Sequence, residues 1–149
     1  MNLAKRAVID LKSTFDGQAW YGTPLRRLLD GVDREMAHER PIASARTIAE
    51  LLAHITAWIE IVGRRVTGET VEVTPEMDFP SVEGVPWNEQ IERLERAHAT
   101  LVERVRGLSD EDFDRQVEAH RNYSVDFMLR GLVHHNTYHA AQIAMLKKR

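Results

Sequence analysis

The stretch Thr47-Ile48-Ala49-Glu50-Leu51-Leu52-Ala53-His54-Ile55-Thr56-Ala57-Trp58-Ile59-Glu60-Ile61-Val62 decides the architecture. It opens with Thr three residues before Glu, the capping-box pattern in which each side chain satisfies a backbone donor at the start of a helix. Two adjacent rows follow at helical spacing: Ile48, Leu52, Ile55, Ile59 and Val62, beside Leu51, His54, Trp58 and Ile61. A stripe this broad requires most of the helix to be buried against other helices. Gly68 is the expected stop.

Upstream, Ala4, Val8, Leu11 and Phe15 recur at spacings of four and three and predict an N-terminal helix. Gly17, Gly22 and Pro24 disturb it, and Pro24 suits the first turn of a second piece through Leu25, Leu28, Leu29 and Val32. One kinked helix and two separate ones are both compatible with this pattern. Arg40-Pro41 reads as a turn, because the residue before proline avoids the helical region.

Downstream, periodicity disappears from Gly68 to Pro86. The stretch holds Pro75, Pro80, Gly84 and Pro86 with Glu69, Glu72, Glu76, Asp78 and Glu83, and contains no Lys or Arg. A connection this long belongs either to a lid or binding loop or to a surface crossover in a bundle. A third helix follows, with Trp87, Ile91, Leu94, His98, Leu101 and Val105 in an inward row. Gly107 and Ser109-Asp110-Glu111 predict its stop and a short capped turn. Phe113 to Asn122 is polar and poorly periodic, and is expected to be loop or extended. The last helix starts near Ser124 and carries Met128, Leu132, His135, His139, Gln142 or Ile143, and Leu146 along one face. No strand pattern and no internal repeat is visible. The expected fold is all-α, a four-helix bundle with one long crossover loop, in a single domain over residues 1–149.

Bulk properties narrow the function. Apolar residues make up 43% of the 149 and charged residues 29%, which is ordinary globular composition. A net charge of −3 argues against a general nucleic-acid binder, and the basic Lys147-Lys148-Arg149 reads as a helix terminus favoured by the macrodipole. There is no cysteine, so disulfides, thiolate ligands and a Cys nucleophile are excluded together. No apolar run approaches the ~20 residues of a membrane span. Asp10, Lys12 and Asp16 interrupt what would have to be a signal-peptide core. A soluble, unprocessed, cytoplasmic protein is the expectation.

Chemistry concentrates in the histidines. His135 and His139 stand four apart on one helical face, with Cβ atoms about 5–6 Å from each other, so two imidazoles can converge on one ion. His54 lies on another inward row. A buried histidine needs a hydrogen-bond partner or a metal, since an unpaired buried polar group costs about 1–3 kcal/mol. Taken singly, each is more simply a satisfied core histidine; as a set they favour a divalent metal. Three protein ligands would leave a tetrahedral ion one open position, as in catalytic sites. His98 is inward on the third helix and is a candidate fourth ligand or supporting group, although a core role is the simpler reading. Gln142, three residues after His139, is a candidate for orienting a ligand. His134 is rotated about 100° from His135 and should face away. His38 and His120 lie in polar segments and should be solvated.

The chain resembles the DinB and YfiT-like family of four-helix bundles over nearly its whole length. The resemblance rests on Trp20-Tyr21-Gly22-Thr23-Pro24-Leu25, on Thr47 to His54 with Trp58 one turn on, on the crossover ending in Trp87, and on His135-Asn136-Thr137-Tyr138-His139-Ala140-Ala141-Gln142-Ile143. It implies a divalent metal, zinc or nickel, held by His54, His135 and His139. It also implies a homodimer, consistent with the prevalence of two-fold oligomers. Many members carry Gly immediately before the Gln, where this chain has Ala141.

Two classes of function follow. One is a metal-dependent enzyme acting on a small molecule: a hydrolase, or, as the resemblance implies, a transferase or isomerase using a low-molecular-weight thiol. Because the chain has no Cys, that thiol would be a cosubstrate. The other is a non-catalytic metal-stabilised bundle, acting in binding or stress-related interaction; a fourth protein ligand such as His98 would mark it. Hydrogen-bonded histidines without metal are a third possibility. The zinc-protease arrangement is unsupported, because Asn136 stands where that motif has its Glu base. Glu60 and Tyr138 lie off the ligand row, and no catalytic acid or base is assigned.

Overall fold

Each long helix forms where an apolar row is bracketed by caps. The computed structural model describes residues 1–118 and 122–148. Helix α1 (Leu3–Phe15) is capped by the Asn2 side chain and buries Ala4, Val8, Leu11 and Phe15. It ends at Phe15, so α2 (Leu25–Leu28) is a separate single turn, started by Pro24. Asp33 caps the short α3 (Arg34–His38).

Helix α4 (Ile48–Arg65) begins with the capping box complete. Thr47 Oγ1 accepts from Glu50 N at 3.1 Å, and the Glu50 carboxylate accepts from Thr47 N at 2.8 Å. Of its 18 residues 13 are buried, which is the broad stripe realised. Past its end, Gly68 takes φ 94°. That left-handed turn is open to glycine without steric cost and lets Glu69 N donate back to Arg64 O.

The connection that follows contains α5 (Pro75–Asp78), with Thr74 as cap and Pro75 in the first turn. Helix α6 (Trp87–Arg106) runs to Gly107, and α7 (Asp110–Asp114) carries its own capping box from Ser109 and Asp112. Where only a loop or extended segment was expected, β1 (Gln116–Val117) pairs antiparallel with β2 (Tyr123–Ser124). Two residues per strand are too few for alternation to register in a sequence. Helix α8 (Val125–Leu146) begins at Ser124, whose hydroxyl accepts from Phe127 N at 3.1 Å.

The four long helices close a ring: α4 packs on α6 and α8, and α1 packs on the same two. One core joins them, with Leu52, Ile55, Leu94, Val105 and Ile143 wholly enclosed. The fold is an all-α bundle with one tiny strand pair. Among the described residues no helix is long and apolar enough to cross a membrane. His120 lies outside the described residues.

The crossover is tied to α4 through a buried arginine. Arg65 is 3% exposed and donates twice to Val71 O, at 3.2 and 2.6 Å, and once to Tyr123 Oη at 2.9 Å. An ion so buried must have its donors filled, and backbone oxygen fills two of them here.

Thr47→Ala should lower stability by about 1 kcal/mol through loss of the cap. Denaturant titration reads this as a lower midpoint at unchanged slope.

Candidate metal centre

Two helices and the crossover build the site. His54 comes from the middle of α4, His135 and His139 from α8, one turn apart. His54 is buried and the other two are half-buried. Their Nε2 atoms converge: His54 lies 3.0 Å from His135 and 3.1 Å from His139. One potential ligand atom from each of the three lies within 4.8 Å of the others. Nitrogens bound to one tetrahedral zinc at 2.0–2.1 Å stand about 3.3 Å apart.

On the far side of each ring, Nδ1 faces an oxygen. His54 Nδ1 donates to Asp78 O at 2.6 Å, with Asp78 Oδ1 a further 3.3 Å contact. His135 Nδ1 donates to Asn136 Oδ1 at 3.0 Å, and His139 Nδ1 to Gln142 Oε1 at 2.6 Å. A carbonyl can only accept, so the His54 proton sits on Nδ1 and its Nε2 carries a lone pair. With the Asn136 and Gln142 amides turned oxygen-first toward Nδ1, the same tautomer follows for the other two. Three lone pairs therefore point at one another.

Lone pairs that close are satisfied by protons or by a metal cation. Protons would make imidazolium, and burial opposes that. It is the largest influence on His135, pushing it down to about 4, and it also lowers His54 against the pull of the Asp78 carbonyl. Burial thus favours neutral His54 and His135, and all three rings face oxygen acceptors, the usual support of a histidine-ligated metal.

The crossover supplies two groups that the sequence reading did not single out for the site. Asp78, last residue of α5, holds His54 by its carbonyl and takes the Trp58 Nε1 proton on Oδ1 at 2.8 Å. Phe79 stacks on His54 with ring centroids 4.0 Å apart and planes within 5°, and the Arg46 guanidinium lies over the Phe79 ring at 4.1 Å. The only local signal was Thr74-Pro75, a helix start inside an aperiodic stretch. Nothing in the sequence linked it to a histidine about two dozen residues earlier.

The other candidates fall as follows. Gln142 is beside His139, as described. His98 does not join the cluster: its ring stacks on Phe15 of α1 at 3.7 Å. His134 and His38 are exposed. Glu60 is clamped by Arg93 through two bonds of 2.8 Å, and Tyr138 is 65% exposed with its ring edge-on to His139.

The model of the DinB superfamily matches residues 22–143, and the chain belongs to that superfamily. A crystal structure of a DinB-like protein from Bacillus cereus ATCC 10987 is similar in fold, with a TM-score of 0.69 at 15% sequence identity. The match covers 97% of this chain and 87% of that one. No curated protein matches.

His98 sets a pH dependence of stability. Burial pushes it down to about 4, with Asp16 opposing and Lys12 assisting. In the unfolded chain the imidazole titrates near its ordinary 6.5. Between these values the unfolded state binds more protons, so stability falls as pH drops through that window. In chelator-treated protein, His98→Phe should keep the ring stack and show a smaller drop in Tm between pH 7 and 4.5 than the parent.

Proposed function

We propose that this chain is a metal-dependent enzyme acting on a small molecule, with His54, His135 and His139 as the ligands of one divalent ion, zinc or nickel. The observation that carries the reading is the convergence of three Nε2 atoms on rings whose Nδ1 atoms all face an oxygen. Imidazole suits both metals, and a three-histidine set leaves coordination positions for substrate. His98, the protein group that would have closed the fourth position, is engaged with Phe15 instead. That favours the catalytic reading over a closed structural site.

When bound, such an ion supplies Lewis acidity, polarising a carbonyl oxygen or making a water or thiol ligand more acidic. The chain's own part is orientation. Asp78, Asn136 and Gln142 hold the three imidazoles in one tautomer, and Phe79 and Trp58 flank His54 and His135 with apolar surface. With no Cys in the chain, a thiolate nucleophile would arrive as a low-molecular-weight cosubstrate. Hydrolysis and thiol-dependent transfer or isomerisation both fit this frame, in a homodimeric cytoplasmic protein.

Elemental analysis of untagged protein tests the ligand set. Near-stoichiometric metal is expected in the parent and in His134→Ala, and sharp loss in His54→Ala, His135→Ala and His139→Ala. Equal loss from His134→Ala would refute the assignment, and no metal after incubation with zinc or nickel would return the histidines to the core. Gln142→Ala removes the side-chain oxygen that accepts from His139 Nδ1 and should weaken metal affinity by about tenfold or more, the usual cost of losing an outer-shell partner. Competition with a chromogenic chelator measures it.

A further inference from the structure

Beside the three histidines runs a groove of about 220 Å³, and its walls are almost entirely apolar. Trp58 and Val62 of α4 face Met128 and Leu132 of α8 across it, and His135 forms part of the same wall. The His135 imidazole and the Trp58 ring lie 5.9 Å apart, so the groove begins where the metal centre ends. We infer that this groove receives an apolar arm, aromatic or branched aliphatic, of a small substrate whose polar end engages the metal centre. The inference rests on the metal reading above and adds to it the substrate class.

Three features support a binding surface here. Phe127 is 59% exposed at the groove, with its ring 5.7 Å from that of Tyr123, so a large apolar surface of the groove wall stands open to water. The wall is pre-set. Trp58 is held at its Nε1 by Asp78 and has the Arg65 guanidinium 5.8 Å from its ring, and Tyr123 Oη is held by Arg65. Surfaces ordered before binding lose less freedom when a ligand arrives. Third, α8 carries Gly131 at the groove, where an added Cβ would meet nothing within 4 Å. Glycine in a helix interior is unfavourable relative to other residues, and no backbone turn or close approach requires it here. Its effect is to leave the groove open.

The volume lies below the roughly 300–1,000 Å³ of sites that enclose a whole drug-sized molecule. It suits one arm of a ligand, with the remainder over the histidines. Continuity with His135 commits the occupant to a molecule that carries a metal-binding donor and an apolar group together.

Hydroxamates with one donor and different arms test this on zinc-loaded protein by calorimetry. Burying a phenyl group should make benzohydroxamate or 3-phenylpropanohydroxamate bind about ten- to a hundredfold more tightly than acetohydroxamate. Gly131→Leu places a side chain leaning toward Phe127 and into the groove. It should cut the phenyl advantage to about twofold, with metal content unchanged and Tm not lowered. Phe127→Ser, which removes one wall without filling the space, should also reduce the advantage. Equal affinities for the three ligands, with metal present, would overturn the inference and leave the metal reading intact. So would a phenyl advantage that Gly131→Leu does not touch. A dimer that dissociates in Gly131→Leu would overturn it by showing that a second copy of the chain covers the groove. Failure to take up metal would overturn the metal reading and this inference with it.

Discussion

Helix α4 is buried along most of its circumference, and that constraint organises the rest of the molecule. A polar side chain there is cut off from water and must bond to protein or remain costly. Thr47 is satisfied at the helix start, while His54 lies mid-helix and Arg65 closes the last turn. Both are satisfied by the same irregular segment, which delivers Asp78 O to His54 and Val71 O to Arg65. The crossover therefore has its course set by the hydrogen-bonding needs of the helix it leaves. Its prolines and acidic residues disguise a structural part of the site.

The same constraint selects the tautomer on which the metal reading depends. A backbone carbonyl has no donor to offer, so the imidazole it meets must present its proton there and its lone pair on the opposite side. Were His54 exposed, water could satisfy either nitrogen and the ring would carry no such directional information. Burial also disfavours charge on the neighbouring His135 imidazole, and the neutral ring is the form that can ligate.

Much of the architecture was legible because it rests on local chemistry. The Thr47–Glu50 box, the Ser124 cap and the inward rows of the long helices appear where spacing placed them. The convergence of His135 and His139 follows from helical pitch, and Gln142 follows from the same pitch. Legibility ended where partners are distant and patternless. Asp78 and Phe79 meet His54 only through the folded crossover, and the β1–β2 pair is too short to show alternation. His98 shows a different limit. Its inward position was readable, yet an inward direction does not say which neighbour it meets, and the neighbour is Phe15.

The sequence distance between the converging histidines has a thermodynamic side. His54 and His135 are 81 residues apart, and His54 and His139 are 85 apart. A ligand that grips all three pins α4 to α8 across more than half the chain, and it can do so only in the folded state. By mass action, each tenfold rise in its free concentration above Kd adds about 1.4 kcal/mol to folding stability. The bundle would then be an ion-dependent staple, whose resistance to unfolding in the cell follows the supply of its metal as well as the packing of its core.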